Sequence, residues 1–136
     1  MTTSSEALKA FRDSGAKYLD LRFTDVKGKW QHLTMDGTVV DEDLLNNGVF
    51  FDGSSIAGWK AINESDMVLK PDLSTTVMDP FTAQPTMMIF CDILDAVTKE
   101  PYERDPRGTA KKAEEYVKSS GMGDTVYIGP EAEFFV

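Results

Sequence analysis

The sequence predicts a mixed α+β fold, and three patterns carry that expectation. Residues 18–25 alternate apolar and polar side chains over a strand's length, so Leu19, Leu21 and Phe23 share one face. Residues 86–94 form the most apolar run in the chain and have the length of a central strand. Around these lie short segments with apolar residues at helical spacing, bounded by capping side chains and glycines.

The first element is a helix over residues 2–15. Ser4 or Ser5 is placed to cap it, Leu8 and Phe11 recur at helical spacing, and Gly15 stops it. The alternating strand follows. Lys27-Gly28 turns the chain, and Trp30, Leu33 and Met35 continue in extended style, which predicts a β-hairpin. Capping acids, Leu44-Leu45 and a Gly48 stop predict a short helix over 41–47. Val49-Phe50-Phe51 then runs into Asp52-Gly53-Ser54-Ser55, a polar loop beside a buried strand. Residues 67–70 read as a strand ending at Pro71, and Val77-Met78 as another before Pro80. Between Pro101 and Pro106 the composition shifts to charge and proline, as in a linker. Pro106 opens a helix whose apolar face is Ala110, Ala113, Tyr116 and Val117, with Gly121 as its stop. Residues 125–136 are expected to form a strand with Gly129-Pro130 inside it. That strand would end on Phe134-Phe135-Val136, still apolar, so the chain is expected to be the N-terminal piece of something longer.

Composition excludes several roles. The 14 Lys+Arg against 23 Asp+Glu leave a net charge of −9, with no basic run of the kind that phosphate binding needs. Nucleic acid is therefore not an expected partner, and the acidic balance serves solubility. Cys91 is the single cysteine and cannot form an internal disulfide, which favours a reducing, cytoplasmic setting. No stretch approaches the roughly 18 apolar residues of a membrane span, so no membrane role is expected.

Two sets of residues are candidates for chemistry. Glu131 and Glu133 stand at i and i+2, which on a strand puts both carboxylates on one face, about 7 Å apart at the backbone. Hard oxygen donors of this kind suit Mg²⁺ or Mn²⁺ and phosphate substrates. The same spacing also describes an amphipathic strand whose acids only meet water, and taken alone the pair reads that way first. Asp52 beside Gly53-Ser54-Ser55 has the same two readings. It is either a turn former bonded to local amides or a carboxylate presented to a cation or a proton. His32, the one histidine, falls in the hairpin and reads as a surface residue. Cys91 reads as a buried small hydrophobe, Met67, Met78, Met87 and Met88 as core fillers, and Trp59 as a packing or interface anchor.

Read together and in order, the motifs are more specific. Phe51-Asp52-Gly53-Ser54-Ser55-Ile56-Ala57-Gly58-Trp59, Glu64-Ser65-Asp66-Met67, Lys70-Pro71-Asp72, Asp105-Pro106-Arg107 and Gly129-Pro130-Glu131-Ala132-Glu133-Phe134-Phe135 follow one another along the chain. That series closely resembles the N-terminal third of bacterial type I glutamine synthetases, over essentially the whole chain. The resemblance implies a β-grasp-like N-terminal domain over 1–104 and, from 105, the truncated start of the catalytic domain. It implies a ligase of nitrogen metabolism and glutamine biosynthesis that joins ammonium to glutamate with ATP through γ-glutamyl phosphate. Active sites would lie between adjacent subunits of a homo-oligomer, a dodecamer. By motif, Glu131 and Glu133 would each bind one of two divalent metals, Mg²⁺ or Mn²⁺, that offset charge on ATP. Asp52 would sit at the ammonium pocket and help convert ammonium to ammonia, and Ser55 would support that pocket. Ala132 departs from the proline common in the family, between the two ligands. By itself the 136-residue piece is expected to be inactive, because two metal ions need more ligands than it holds.

Three other readings stand beside this one. A γ-glutamyl-amine ligase of the same superfamily, acting on a polyamine, is the enzymatic rival, and the Asp52 loop argues for ammonia. A non-catalytic β-grasp interaction module would be a folded monomer with a completed last strand. A simple acidic cation binder would need a dense carboxylate loop, and no such spacing is present.

Overall fold

The computed structural model describes residues 3–59 and 65–136, so Thr2 and Glu64 of the sequence motifs lie outside the described residues. Helix α1 (Ser4–Asp13) is capped by Thr3 and not by Ser4 or Ser5. Spacing explains the difference, because only Thr3 has a glutamate three residues on. The Glu6 amide donates to Thr3 Oγ1 (3.2 Å) and the Thr3 amide donates to Glu6 Oε2 (2.8 Å), a reciprocal pair at the helix start. The hairpin forms as expected from β1 (Tyr18–Thr24) and β2 (Trp30–Asp36), in register from Tyr18 opposite Asp36 to Thr24 opposite Trp30. Asp25 Oδ1 holds the turn by accepting from the Lys27 and Lys29 amides.

Helix α2 (Glu42–Asn47) is capped by Asp41, whose Oδ1 accepts from the Leu44 amide (2.8 Å), and it ends at Gly48. Gly48 has φ +81°, and a Cβ there would lie 2.2 Å from the Leu69 carbonyl oxygen. The helix can therefore turn into β3 (Val49–Asp52) only without a side chain at this position. The remaining elements are β4 (Asp66–Pro71), β5 (Val77–Met78), β6 (Thr86–Asp95) and α3 (Pro106–Ser119).

Strand order in the sheet is β2-β1-β6-β4-β3, with β5 also paired to β6. The first half of β6 runs parallel to β1 and antiparallel to β5, and its second half pairs antiparallel with β4. The apolar run predicted to be central is thus central. On the core face, Leu19, Leu21 and Phe23 of β1 meet Met87, Ile89, Cys91 and Ile93 of β6 and Met67 and Leu69 of β4. Ala7, Leu8 and Phe11 of α1 and Leu44 and Leu45 of α2 cover that face. Met67 and Met87 fill the core and Met78 packs against it. Met88, expected to be a core filler, lies on the opposite face of β6, because side chains alternate along a strand, and there Arg22 Nη1 donates to its Sδ (2.8 Å). Cys91 is buried, and burial pushes its thiol pKa far up, which suits a small hydrophobe and not a nucleophile.

The opposite face of the β1–β2 hairpin carries a polar cluster. Asp20 is 4% exposed. Its Oδ1 accepts from Thr34 Oγ1 (2.7 Å) and pairs with Nδ1 of the surface residue His32 (2.8 Å), and its Oδ2 accepts from Arg22 Nε (2.7 Å). Arg22 reaches on to Asp79 at the end of β5. Burial by itself would raise the Asp20 pKa. The bonds from Thr34, His32 and Arg22 outweigh it and hold the carboxyl below the ordinary range.

Residues 101–105, linker-like in composition, are laid along β6. Pro101 bridges Leu94, the Tyr102 amide donates to the Ile93 carbonyl (2.8 Å), and Asp105 is buried. Asp105 caps α3 by accepting from the Arg107 amide (3.0 Å), and its other oxygen takes the Ile93 amide (3.2 Å). Arg107 then pairs with Asp72, and its Nε lies 3.4 Å from Asp92 on β6. The apolar face of α3 is uncovered among the described residues: Ala110, Ala113 and Tyr116 are exposed and Val117 is half-buried.

One predicted element is not formed. Residues 125–136 carry no regular secondary structure, and Tyr127, Ile128, Phe134, Phe135 and Val136 are exposed. A strand exists only as a ladder, and among the described residues no strand is placed beside this segment to pair with it.

Two outcomes are expected from these contacts. Because the Asp20 pKa is lowered in the folded state, its contribution to stability is present above the unfolded value and is lost as pH falls through the folded one. Asp20→Asn should therefore lower the thermal midpoint at neutral pH and reduce its decline in acid, as read by circular dichroism melts. Gly48→Ala should destabilise the fold by more than about 2 kcal/mol in urea titrations, because of its φ and the clash with Leu69.

Candidate functional site

β3 ends where the polar motif begins. Its ladder with β4 sets Phe51 opposite Met67 and Asp52 opposite Asp66, and the Gly53 amide closes the pairing on the Ser65 carbonyl (2.7 Å). Gly53-Ser54-Ser55 then makes a single 3-10 turn. A Cβ at Gly53 would lie 2.3 Å from Met67 Sδ and 3.0 Å from the Ser65 carbonyl oxygen, so a side chain there would displace Met67 from its packing under the turn.

Asp52 is exposed at the start of this turn. Its Oδ1 accepts from Ser54 Oγ (2.7 Å) and from the Ser54 amide (2.8 Å). These bonds, with a further one from Ser65, hold its carboxyl below the ordinary range, so it is ionised at neutral pH. The turn-former reading is the one observed: Asp52 caps its own turn, and its carboxylate is exposed at the surface. Ser55 is exposed in the same turn. With Asp66 opposite Asp52, the end of this ladder carries two acids and suits a small cation.

The far end of the loop is anchored by Trp59, which is 6% exposed. Its ring lies 5.6 Å from Phe23, 6.1 Å from Phe51 and 5.6 Å from Tyr102, centroid to centroid, and Phe23 and Phe51 are 5.3 Å apart. Trp59 is thus a packing anchor for the loop that carries Asp52. Arg104 adds a polar tie, with Nη1 donating to the Gly58 carbonyl (2.9 Å) and lying 3.4 Å from that of Trp59. Tyr102 and Arg104 were not among the sequence candidates. Their pattern, an aromatic and an arginine inside a charged, proline-bearing stretch, carried no signal of proximity to residue 58.

Glu131 and Glu133 lie in the exposed segment after α3, with no ladder to fix their side chains on one face. Among the described residues nothing joins them to Asp52 or Ser55, and no group of three or more His, Cys, Asp or Glu side chains forms a metal-ligating cluster. Their carboxylates fit Mg²⁺ or Mn²⁺ in kind, but two oxygen-bearing residues fall short of the ligands either ion takes. No described helix is long and apolar enough to cross a membrane.

Comparison with known proteins converges on one family. Residues 15–96 match the family model described as glutamine synthetase, β-Grasp domain. Over 136 residues the chain is 68% identical to a glutamine synthetase of Rhizobium meliloti (strain 1021) and 62% identical to one of Bradyrhizobium diazoefficiens. Each alignment covers 100% of this chain and 29% of the relative, so the chain spans less than a third of the length of these proteins. Its fold is similar to that of a Plasmodium falciparum glutamine synthetase seen by cryo-EM, with a TM-score of 0.79 at 24% identity, covering 89% of this chain and 23% of the other. The matched span takes in every strand of the sheet and the Asp52 turn, and by that match the chain belongs to the glutamine synthetase family, whose β-Grasp domain it carries.

Proposed function

We propose that the chain forms the N-terminal part of a glutamine synthetase, which ligates ammonia to glutamate at the expense of ATP through γ-glutamyl phosphate. The observation that carries this reading is the 68% identity to a synthetase across all 136 residues, Asp52 turn and Glu131–Glu133 segment included. Residues from about 105 would then open the catalytic domain, and the working enzyme would be a cytoplasmic homo-oligomer, a dodecamer with its active sites between adjacent subunits.

In this reading Asp52 binds the ammonium ion. A carboxylate held ionised by Ser54 attracts a cation, and Ser55 lines the same turn. The bonds that lower its pKa also make Asp52 a weak base. Proton transfer to it must therefore be coupled to consumption of the ammonia formed. Ammonium first gives one proton to Asp52. As the nitrogen then attacks the γ-carbonyl, the C–N bond forms, the C–O bond to phosphate breaks with its electron pair leaving on phosphate, and the second proton lost by nitrogen goes to that departing phosphate. An acyl phosphate also hydrolyses in water, so the pocket has to be closed around it. Glu131 and Glu133 would contribute one ligand each to two divalent ions, whose remaining ligands lie outside this chain. Those ions supply charge neutralisation for ATP.

The test is glutamine formation from glutamate, ammonium and ATP by the full-length polypeptide that carries these residues, and absence of product overturns the reading. Within that enzyme, Asp52→Ala should lower ammonium-dependent synthesis by roughly a hundredfold or more, while γ-glutamyl phosphate formation falls far less. Glu131→Ala or Glu133→Ala should raise the Mg²⁺ or Mn²⁺ concentration needed for half-maximal activity by about tenfold or more, measured by metal titration of the apoenzyme.

A further inference from the structure

We infer that Arg104 is a positioning residue for the Asp52 turn and through it sets the affinity for ammonium, an inference that rests on the reading of Asp52 as the ammonium-binding carboxylate. The bonds Asp52 makes to Ser54 are local, two residues along the chain, and orient the carboxylate only relative to its own turn. Other contacts must hold that turn against the fold. On its N-terminal side this is done by the β3–β4 ladder and the Gly53–Ser65 bond. On its C-terminal side the loop leaves the sheet, and among the described residues it is held by the packing of Ile56 on the core, by Trp59 against Phe23, Phe51 and Tyr102, and, as the polar tie, by the guanidinium of Arg104 at the carbonyls of Gly58 and Trp59.

Arg104 is well placed for this role. Its side chain is 55% exposed, so it contributes little to the core, and its removal leaves no cavity. The neighbouring carboxylate of Glu103 is 4.0 Å from Nε and 80% exposed, too weak a partner to draw the guanidinium off the loop. The backbone that carries Arg104 is itself fixed, because the Tyr102 amide bonds Ile93 and the Asp105 side chain bonds the Ile93 amide on β6. Gly58, whose carbonyl takes the bond, has φ +86°, so the loop reverses there and its carbonyl is the point where one donor can hold the reversal. Arg104 thus connects the Asp52 loop to the central strand and to the start of α3. Both contacts come from one nitrogen, Nη1; a lysine ammonium keeps the charge and the donors but ends one bond short of that position, which gives the conservative substitution an intermediate effect.

The experiment uses Arg104→Ala and Arg104→Lys in the full-length polypeptide. For Arg104→Ala the KM for ammonium should rise roughly tenfold, while ATP- and glutamate-dependent γ-glutamyl phosphate formation without ammonium stays within about twofold of the unsubstituted enzyme. Arg104→Lys should recover part of the loss. Amide hydrogen exchange at residues 53–58 should quicken about tenfold in Arg104→Ala, with the β6 amides of Ile89 and Cys91 unchanged. An unchanged ammonium KM, equal defects in Lys and Ala, or faster exchange throughout β6 would each overturn the inference, the last because the effect would then be general unfolding. If the unsubstituted polypeptide makes no glutamine, the functional reading fails, and the exchange measurement by itself decides whether Arg104 holds the loop, with unchanged exchange at 53–58 refuting it.

Discussion

The backbone of β6 is buried through the middle of the molecule, and a buried amide or carbonyl without a partner costs on the order of 1–3 kcal/mol. The strand must therefore be paired on both edges, and the remaining elements are arranged around that requirement. Parallel β1 takes one edge of its first half and the two residues of β5 the other. β4 pairs with its second half, and residues 101–105 supply Pro101 and Tyr102 as partners along the end of the strand. Even the Ile93 amide, facing away from β4, is met by the side chain of Asp105. Satisfying β6 thus determines where the hairpin lies, how the chain returns after β3, and where α3 begins.

The two faces of the sheet follow different physics. The inner face is a continuous apolar layer of β1, β4 and β6 side chains under α1 and α2, sustained by burial of area. The outer face of the hairpin is held by a carboxylate with three hydrogen-bonding neighbours, and Arg22 links it to Asp79 after β5. Asp20 is nearly as buried as a core leucine, and it can be so because each of its oxygens has a donor.

The Asp52 turn borrows rigidity from both systems. Its first residue belongs to a ladder and its last aromatic ring belongs to a cluster that includes Phe23 of the core. Between these anchors the carboxylate is exposed, ionised and locally satisfied, and it carries its charge without the desolvation cost of a buried acid. A rigid scaffold presenting a charged group on a short loop is a common arrangement of functional residues.

Local patterns in the sequence determined most of the secondary structure, because they act over few residues. Alternation at Leu19, Leu21 and Phe23 set the core face of β1, Asp41 and Gly48 bounded α2, and the length and apolarity of residues 86–94 marked β6 as a central strand. The family was equally legible, since its motifs lie in order along the chain, and Asp52 and Ser55 were singled out as residues of one turn. Tertiary structure decided what depends on distant partners. The choice of Thr3 as cap was local and could have been read from Glu6, but the bonds from Thr34 and His32 to Asp20, the laying of residues 101–105 along β6 and the tie from Arg104 to Gly58 depend on how separate elements pack. The segment holding Glu131 and Glu133 makes the same point in reverse. Its residues have the composition of a strand, yet a strand is a property of two chains' worth of backbone, and among the described residues the second is not there.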